Sequence, residues 1–287
     1  MNGRACTRNS RDRGLKTGFL DSTGAPRLFY RAGFVDGAEA VIILIHGFGG
    51  HSGRYGLVID RLHEAGIATL AIDLRGHGQS EGRRGHVDDF EEYSDDISRA
   101  CAVVHERMPG IPVFLMGHSM GGLAVSTFIA RHPEALSGCI LSSPVFGVGQ
   151  DVSRHKVFAL RLLKRWAPNL MVPAGFSSQN LSSDAAQVAA FSKDPHVLRR
   201  GSVRLFNETM RAQKWILEHA PAIGLPLLIL AGSEDRLTDL GTTREFMSRY
   251  GSQDKVMQVF EGYRHEVFSE SERDVPIDVM IDWIRAH

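Results

Sequence analysis

Residues 117–121 read Gly-His-Ser-Met-Gly, a serine between two glycines. Two further side chains could serve that serine. Asp235 stands in "LLILAGSEDRLT" and His265 in "MQVFEGYRHEVF", each just past an apolar run. A serine hydroxyl is a weak nucleophile until a base removes its proton and a third group holds that base. Serine, aspartate and histidine in that chain order could therefore run acyl transfer: attack on a carbonyl carbon, a covalent intermediate, and release by water. Attack puts negative charge on the carbonyl oxygen, which two backbone N–H donors should stabilise. The amide of Met120, directly after the serine, is one candidate. The amide of Phe48, in the glycine-rich loop "LIHGFGG", is the other.

The elements around these residues must place them together. "VFLMG" before Ser119 is a buried-strand pattern and "SMGGLAVSTFIARHPE" after it has helical periodicity. A serine at such a strand-to-helix reversal is a nucleophile elbow. Gly117 and Gly121 are expected because a β-carbon at either would collide with the neighbouring chain. "AVIILIHG", "IATLAID", "LSGCILSSP", "LPLLILAG" and "KVMQVFEG" read as further strands. Most alternate with amphipathic helices, as in "RYGLVIDRLHEAG" and "DDFEEYSDDISRACAVVHERMPG". That alternation predicts a mostly parallel sheet covered by helices on both faces. "LKTGFL" and "PRLFYRAG" read as an opening hairpin around a turn. In open parallel sheets the site lies at the carboxyl ends of the strands, where Ser119, Asp235 and His265 all fall.

From Val145 to about Pro221 the strand rhythm stops and helical spacing takes over. The expected organisation is a tail at 1–14, a core at 15–144 and 222–287, and a helical insertion at 145–221.

Several neighbours compete for these roles. Glu234 and Asp239 flank Asp235; its place just after the strand favours Asp235. His46 is expected to brace the oxyanion loop, and His77 and His118 to be structural. Asp73 and Arg75 are expected to fix their loop by hydrogen bonds and a salt bridge. Cys101 and Cys139 fall in a helix and a strand, as core residues do.

Bulk composition narrows the classes. The chain has 287 residues, 43% hydrophobic and 23% charged, with 33 basic and 33 acidic side chains. Zero formal charge gives no push toward nucleic acid. Three widely spaced cysteines without Cys-x-x-Cys argue against a disulfide framework or zinc site. The N-terminus lacks a signal-peptide core, and no apolar run approaches the ~20 residues of a membrane span. A cytoplasmic protein is expected. Arg4, Arg8, Arg11 and Arg13 of the basic tail could touch an anionic membrane.

Taken together, "HGFGGHSGRY", "DLRGHGQSEG", "VFLMGHSMGG", "GSEDRLTD" and "SQDKVMQVFEGYRHEV" resemble, in order, the α/β-hydrolase superfamily, and within it the monoacylglycerol lipase and lysophospholipase branch, often labelled serine aminopeptidase-like. The resemblance spans the chain from about residue 15. It implies the α/β-hydrolase fold, hydrolysis of a single-chain lipid ester such as a monoacylglycerol, and no metal or cofactor. It also implies that the insertion is a mobile cap forming an acyl tunnel. In "VFALRLLKRW" the apolar face could meet lipid while Arg161, Lys164 and Arg165 face water or phosphate. Lysophospholipase or general carboxylesterase activity with the same triad is the enzymatic alternative, and a small-molecule receptor the non-enzymatic one. Ser119 argues against the dehalogenases, which share the architecture but use aspartate. One feature departs from the branch. An acidic residue often follows the HG-x-G loop, whereas this chain has Gly50 and then His51. If that acid recognises glycerol, this chain must arrange recognition otherwise.

Overall fold

A computed structural model describes residues 15–132, 136–150 and 154–287, without the side chains of Arg154 and Lys156. Ten strands and eight helices are assigned within them. In chain order they are β1 (Lys16–Leu20), β2 (Leu28–Gly33), β3 (Ala40–Ile45), α1 (Gly56–Glu64), β4 (Ile67–Ile72) and α2 (Glu92–Arg107). Next come β5 (Val113–His118), α3 (Met120–Ile129), β6 (Gly138–Ser142), α4 (Arg154–Leu163), β7 (Met171–Pro173) and α5 (Ala185–Lys193). The chain closes with β8 (Arg200–Ser202), α6 (Val203–His219), β9 (Leu227–Gly232), α7 (Leu240–Arg249), β10 (Lys255–Phe260) and α8 (Asp274–Ala286).

Eight strands form one sheet in the order β1-β2-β4-β3-β5-β6-β9-β10. The pairs at the β1 end, β1 with β2 and β2 with β4, are antiparallel and the remaining pairs are parallel. The expected opening hairpin is therefore the sheet's antiparallel edge. Alternate side chains of the central strands feed two cores, as a period of two requires. Val41, Ile43 and Ile45 pack with α2, α3, α6 and α7 through Ile97, Val104, Leu123, Phe128, Ile216 and Phe246. Ile42 and Leu44 point the other way and pack with α1 and α8 through Ile59, Leu62, Ile277, Met280 and Trp283. Burial on both faces explains why these strands read as unbroken apolar runs.

Strand order positions the site. β3 lies between β4 on one side and β5 on the other. The chain winds outward from β3 in one direction, then crosses to β5 and winds the other way. The chain leaves β3 for α1 on one face of the sheet and β5 for α3 on the other, and such a switch point opens a crevice at the carboxyl ends of the strands. Phe48 follows β3 and Ser119 follows β5.

Between β6 and β9 the chain leaves the sheet and builds α4, α5 and α6. It also makes a two-stranded antiparallel ribbon, β7 with β8, that sequence periodicity did not anticipate. Three-residue strands, one containing Pro173, are too short to carry a period. The helix expected to run from the serine to Glu134 ends at Ile129, and Pro133 and Glu134 lie outside the described residues. The basic tail and Cys6 lie outside them as well. Among the described residues no helix is long and apolar enough to cross a membrane.

Candidate active site

The last residue of β5 hands over to Ser119 at φ 53°, ψ −117°, a left-handed conformation that costs a non-glycine residue about 1–3 kcal/mol. Its own backbone is pinned on both sides. The Ser119 N–H donates to the Ser142 carbonyl at 2.9 Å. The Ser119 carbonyl accepts from Leu123 at 3.1 Å and from Val145 at 3.2 Å. The flanking glycines are sterically required. A β-carbon at Gly117 would lie 2.4 Å from the Gly121 carbonyl oxygen, and one at Gly121 only 2.5 Å from the carbonyl oxygens of Ile45 and His46.

That same close packing brings the two loops together. A β-carbon at Gly47 would lie 3.0 Å from the Ser119 β-carbon, so the loop after β3 runs against the serine. The loop is a tight turn in which the Gly50 N–H donates to the Gly47 carbonyl at 3.0 Å. His46 braces it: its Nδ1 donates to the Gly47 carbonyl at 2.8 Å, and its Nε2 accepts from the Leu74 N–H at 2.9 Å. Burial pushes the His46 imidazole down to about 4, which keeps it neutral for those two bonds. Phe48 sits at the turn's tip, its ring against Phe206 of α6. The Met120 amide is at the first position of α3, where a helix leaves N–H groups without intrahelical acceptors.

Asp235 and His265 meet above β9 and β10. The His265 Nδ1 donates to Asp235 Oδ2 at 2.8 Å, and both side chains are almost fully buried. Asp235 is itself held: Oδ1 accepts from the N–H groups of Leu237 and Thr238, and Oδ2 accepts from the Thr238 hydroxyl at 2.6 Å. Burial alone would raise the Asp235 carboxyl, but the His265 charge and these hydrogen bonds outweigh it and bring it to about 2. Burial likewise opposes charge on His265, yet the Asp235 carboxylate more than offsets it, so the imidazole titrates above the ordinary 6.5. Of the rival acids, Asp239 caps α7 through Gly241 and Thr242, and Glu234 is exposed.

Ser119, His265, Phe48 and Met120 all line one cavity of about 210 Å³. Its walls are mainly aliphatic and aromatic, including Val157, Leu160, Leu205, Phe206 and Met210 from the inserted segment. Asp235 stands behind His265 and orients it.

Other expectations resolve into structure. Asp73 accepts from the backbone of Ser52 and Gln79, and Arg75 pairs with Asp96 and Glu92. The Arg75 ion pair thus runs to α2 rather than to Asp73. Cys101 and Cys139 are buried free thiols, pushed up to about 12 by desolvation. His118 is closer to the chemistry than its sequence context suggests. Its ring packs 4.8 Å from that of His265, and its Nδ1 donates to the Ser142 carbonyl. Burial and the neighbouring His265 bring His118 down to about 3, so it stays neutral beside that ring. Sequence reasoning also missed Thr238, Arg54 and Glu266. Thr238 and Glu266 sit three and one residues after Asp235 and His265, and adjacency was their available signal.

Against known proteins, the family described as serine aminopeptidase, S33, matches residues 36–272. The chain is 33% identical over 253 residues to a monoacylglycerol lipase of Mycolicibacterium smegmatis, covering 87% of this chain and 89% of that one. It is 32% identical over 242 residues to phospholipase YtpA of Bacillus subtilis, covering 83% and 92%. In three dimensions it resembles the monoacylglycerol lipase of Paleococcus ferrophilus, with a TM-score of 0.82, 30% identity, and coverage of 91% and 99%. A match of that extent places this chain in the serine aminopeptidase S33 family of hydrolases.

Proposed function

We propose that this protein hydrolyses the carboxylic ester of monoacylglycerols or similar single-chain lipid esters through Ser119, His265 and Asp235. The observation that carries the reading is the His265–Asp235 hydrogen bond at the edge of an apolar cavity that Ser119 also lines. The family and its monoacylglycerol lipase members support the substrate class.

In this reading Ser119 attacks the ester carbonyl and His265 Nε2 takes its proton. Asp235 holds the opposite ring nitrogen and stabilises the imidazolium. The N–H groups of Phe48 and Met120 receive the oxyanion, where one such donor is worth ~10²–10³ in rate. His265 then gives its proton to the leaving alcohol, and water repeats the cycle on the acyl-enzyme.

Residues 145–221 act as the cap, and α4 with the segment just after it serves two environments. Val157 and Leu160 line the cavity. Phe158, Leu162, Trp166 and Leu170 project outward, Trp166 being 83% exposed. Exposed Arg161, Lys164 and Arg165 lie between them. Such a basic and apolar surface suits an anionic lipid interface, from which an acyl chain can enter. The cap is tied to the catalytic loops at several points: the Leu198 N–H donates to the Gly49 carbonyl, and His51 Nε2 pairs with Asp194 at 2.8 Å.

Three outcomes are expected. Ser119→Ala should lower kcat on 1-monooleoylglycerol by at least about 10⁴, with the circular dichroism and melting of the wild type; residual activity within tenfold of wild type would refute the nucleophile. The base must be neutral to accept a proton, and His265 titrates above 6.5. The kcat/KM profile should therefore fall as pH drops through a midpoint above 6.5, and a midpoint below 6.5 would contradict the assignment. Finally, Trp166→Ser should weaken sedimentation with phosphatidylglycerol vesicles by about tenfold; unchanged binding would remove the cap from the membrane contact.

A further inference from the structure

The cavity that serves Ser119 has one charged corner. Histidines aside, Arg54 and Glu266 are the ionisable residues of charged type among the described residues lining it. Arg54 comes from the short helical turn Ser52–Tyr55 after β3, and Glu266 follows His265 directly. Their side chains are in contact and only 15% and 14% exposed. The carboxylate oxygen that receives Arg54 Nη2 also accepts from the Ser269 hydroxyl at 2.9 Å. The Glu266 N–H donates to the Leu181 carbonyl at 2.7 Å, and the Arg54 guanidinium lies 4.6 Å over the Phe191 ring. The pair thus joins the loop after β3, the loop after β10 and the inserted segment. Burial opposes charge on Glu266, but Arg54, His118 and Ser269 outweigh it, so its carboxyl titrates below the ordinary range.

An ion pair in the wall of a lipid-sized pocket asks for a reason. Removing two charges from water is expensive, and apolar residues of similar volume often stabilise a protein as well or better. Chemistry at His265 supplies one. Its Nδ1 is committed to Asp235, so Nε2 must protonate the departing alcohol. The alcohol portion of the ester therefore sits beside His265, next to Glu266. The hydrocarbon portion fits the apolar surface of α4 and α6. A diol needs both acceptors and donors, and a carboxylate beside a guanidinium offers each. Because the two charges cancel, the corner suits a neutral polyol better than a phosphate. Gly50, also on the cavity wall, contributes no side chain to that task.

We infer that Arg54 and Glu266 form the leaving-group subsite, holding the free hydroxyls of a neutral polyol such as glycerol while its ester bond is cut. This rests on the ester-hydrolase reading above and names the residues that select among esters.

The test compares kcat/KM for 1-monolauroylglycerol, methyl laurate and lauroyl lysophosphatidylcholine, which share an acyl chain. It uses the wild type, Glu266→Gln, and the paired Arg54→Met/Glu266→Gln, which leaves no unpaired charge. The ratio of monolauroylglycerol to methyl laurate should fall about 10- to 100-fold in both variants, mostly through KM. A ratio within twofold of wild type, or an equal fall on both esters, would overturn the subsite while leaving the hydrolase reading intact. A loss confined to lysophosphatidylcholine would overturn the neutral-polyol assignment. Wild-type enzyme that cleaves methyl laurate but not monolauroylglycerol would defeat the substrate reading and the subsite with it.

Discussion

A serine at φ 53° does not stay there unless the surrounding chain leaves it no alternative. Here the constraint is steric and it is shared among three strands. The turn at Ser119 closes because Gly117 and Gly121 let backbone meet backbone at distances no β-carbon could tolerate. Gly121 is pressed against the end of β3, so the tightness of the elbow also sets how near the Phe48 loop comes to the serine. The hydrogen bonds to Ser142 and Val145 then lock the elbow to β6. One local strain thereby organises Ser119, the loop that carries Phe48 and the floor of the cavity. The cost of roughly 1–3 kcal/mol is offset by a doubly covered sheet core.

Electrostatics sort the buried histidines around that frame. His46, His77 and His118 are each pushed down by burial, to about 4, about 3 and about 3, and so stay neutral. His265 is as deeply buried, yet it moves the other way because a carboxylate faces its Nδ1. Burial makes charge costly, and a single oriented partner reverses the sign at one imidazole. In the proposed chemistry that contrast would let His265 cycle a proton while its neighbours serve as fixed braces. Thr238 and the backbone of Leu237 keep the partner itself in place.

Much of this was legible in the residues. Strands buried on both faces announce themselves as apolar runs, and a serine between glycines at a strand-to-helix junction has few other uses. Asp235 and His265 could be selected because they follow strands, even with Glu234 and Asp239 alongside. What sequence could not carry were relations between distant segments. Arg54 and Glu266 are 212 positions apart, and their meeting depends on strand order. The β7–β8 ribbon is too short for any period. His118 reads as an ordinary neighbour of the nucleophile until the fold lays its ring on His265. Gly50 marked a missing acid, and the location of a replacement required the folded cavity.

The proposed chemistry depends on Asp235 as the group that orients His265 and stabilises its charge. The direct measurement is kcat/KM of Asp235→Asn on a monoacylglycerol, with folding followed by thermal melting. An amide keeps the shape but disfavours the required tautomer and withdraws the charge, so a loss of about 10⁴ is expected with melting little changed. A folded variant retaining more than a tenth of wild-type activity would contradict it.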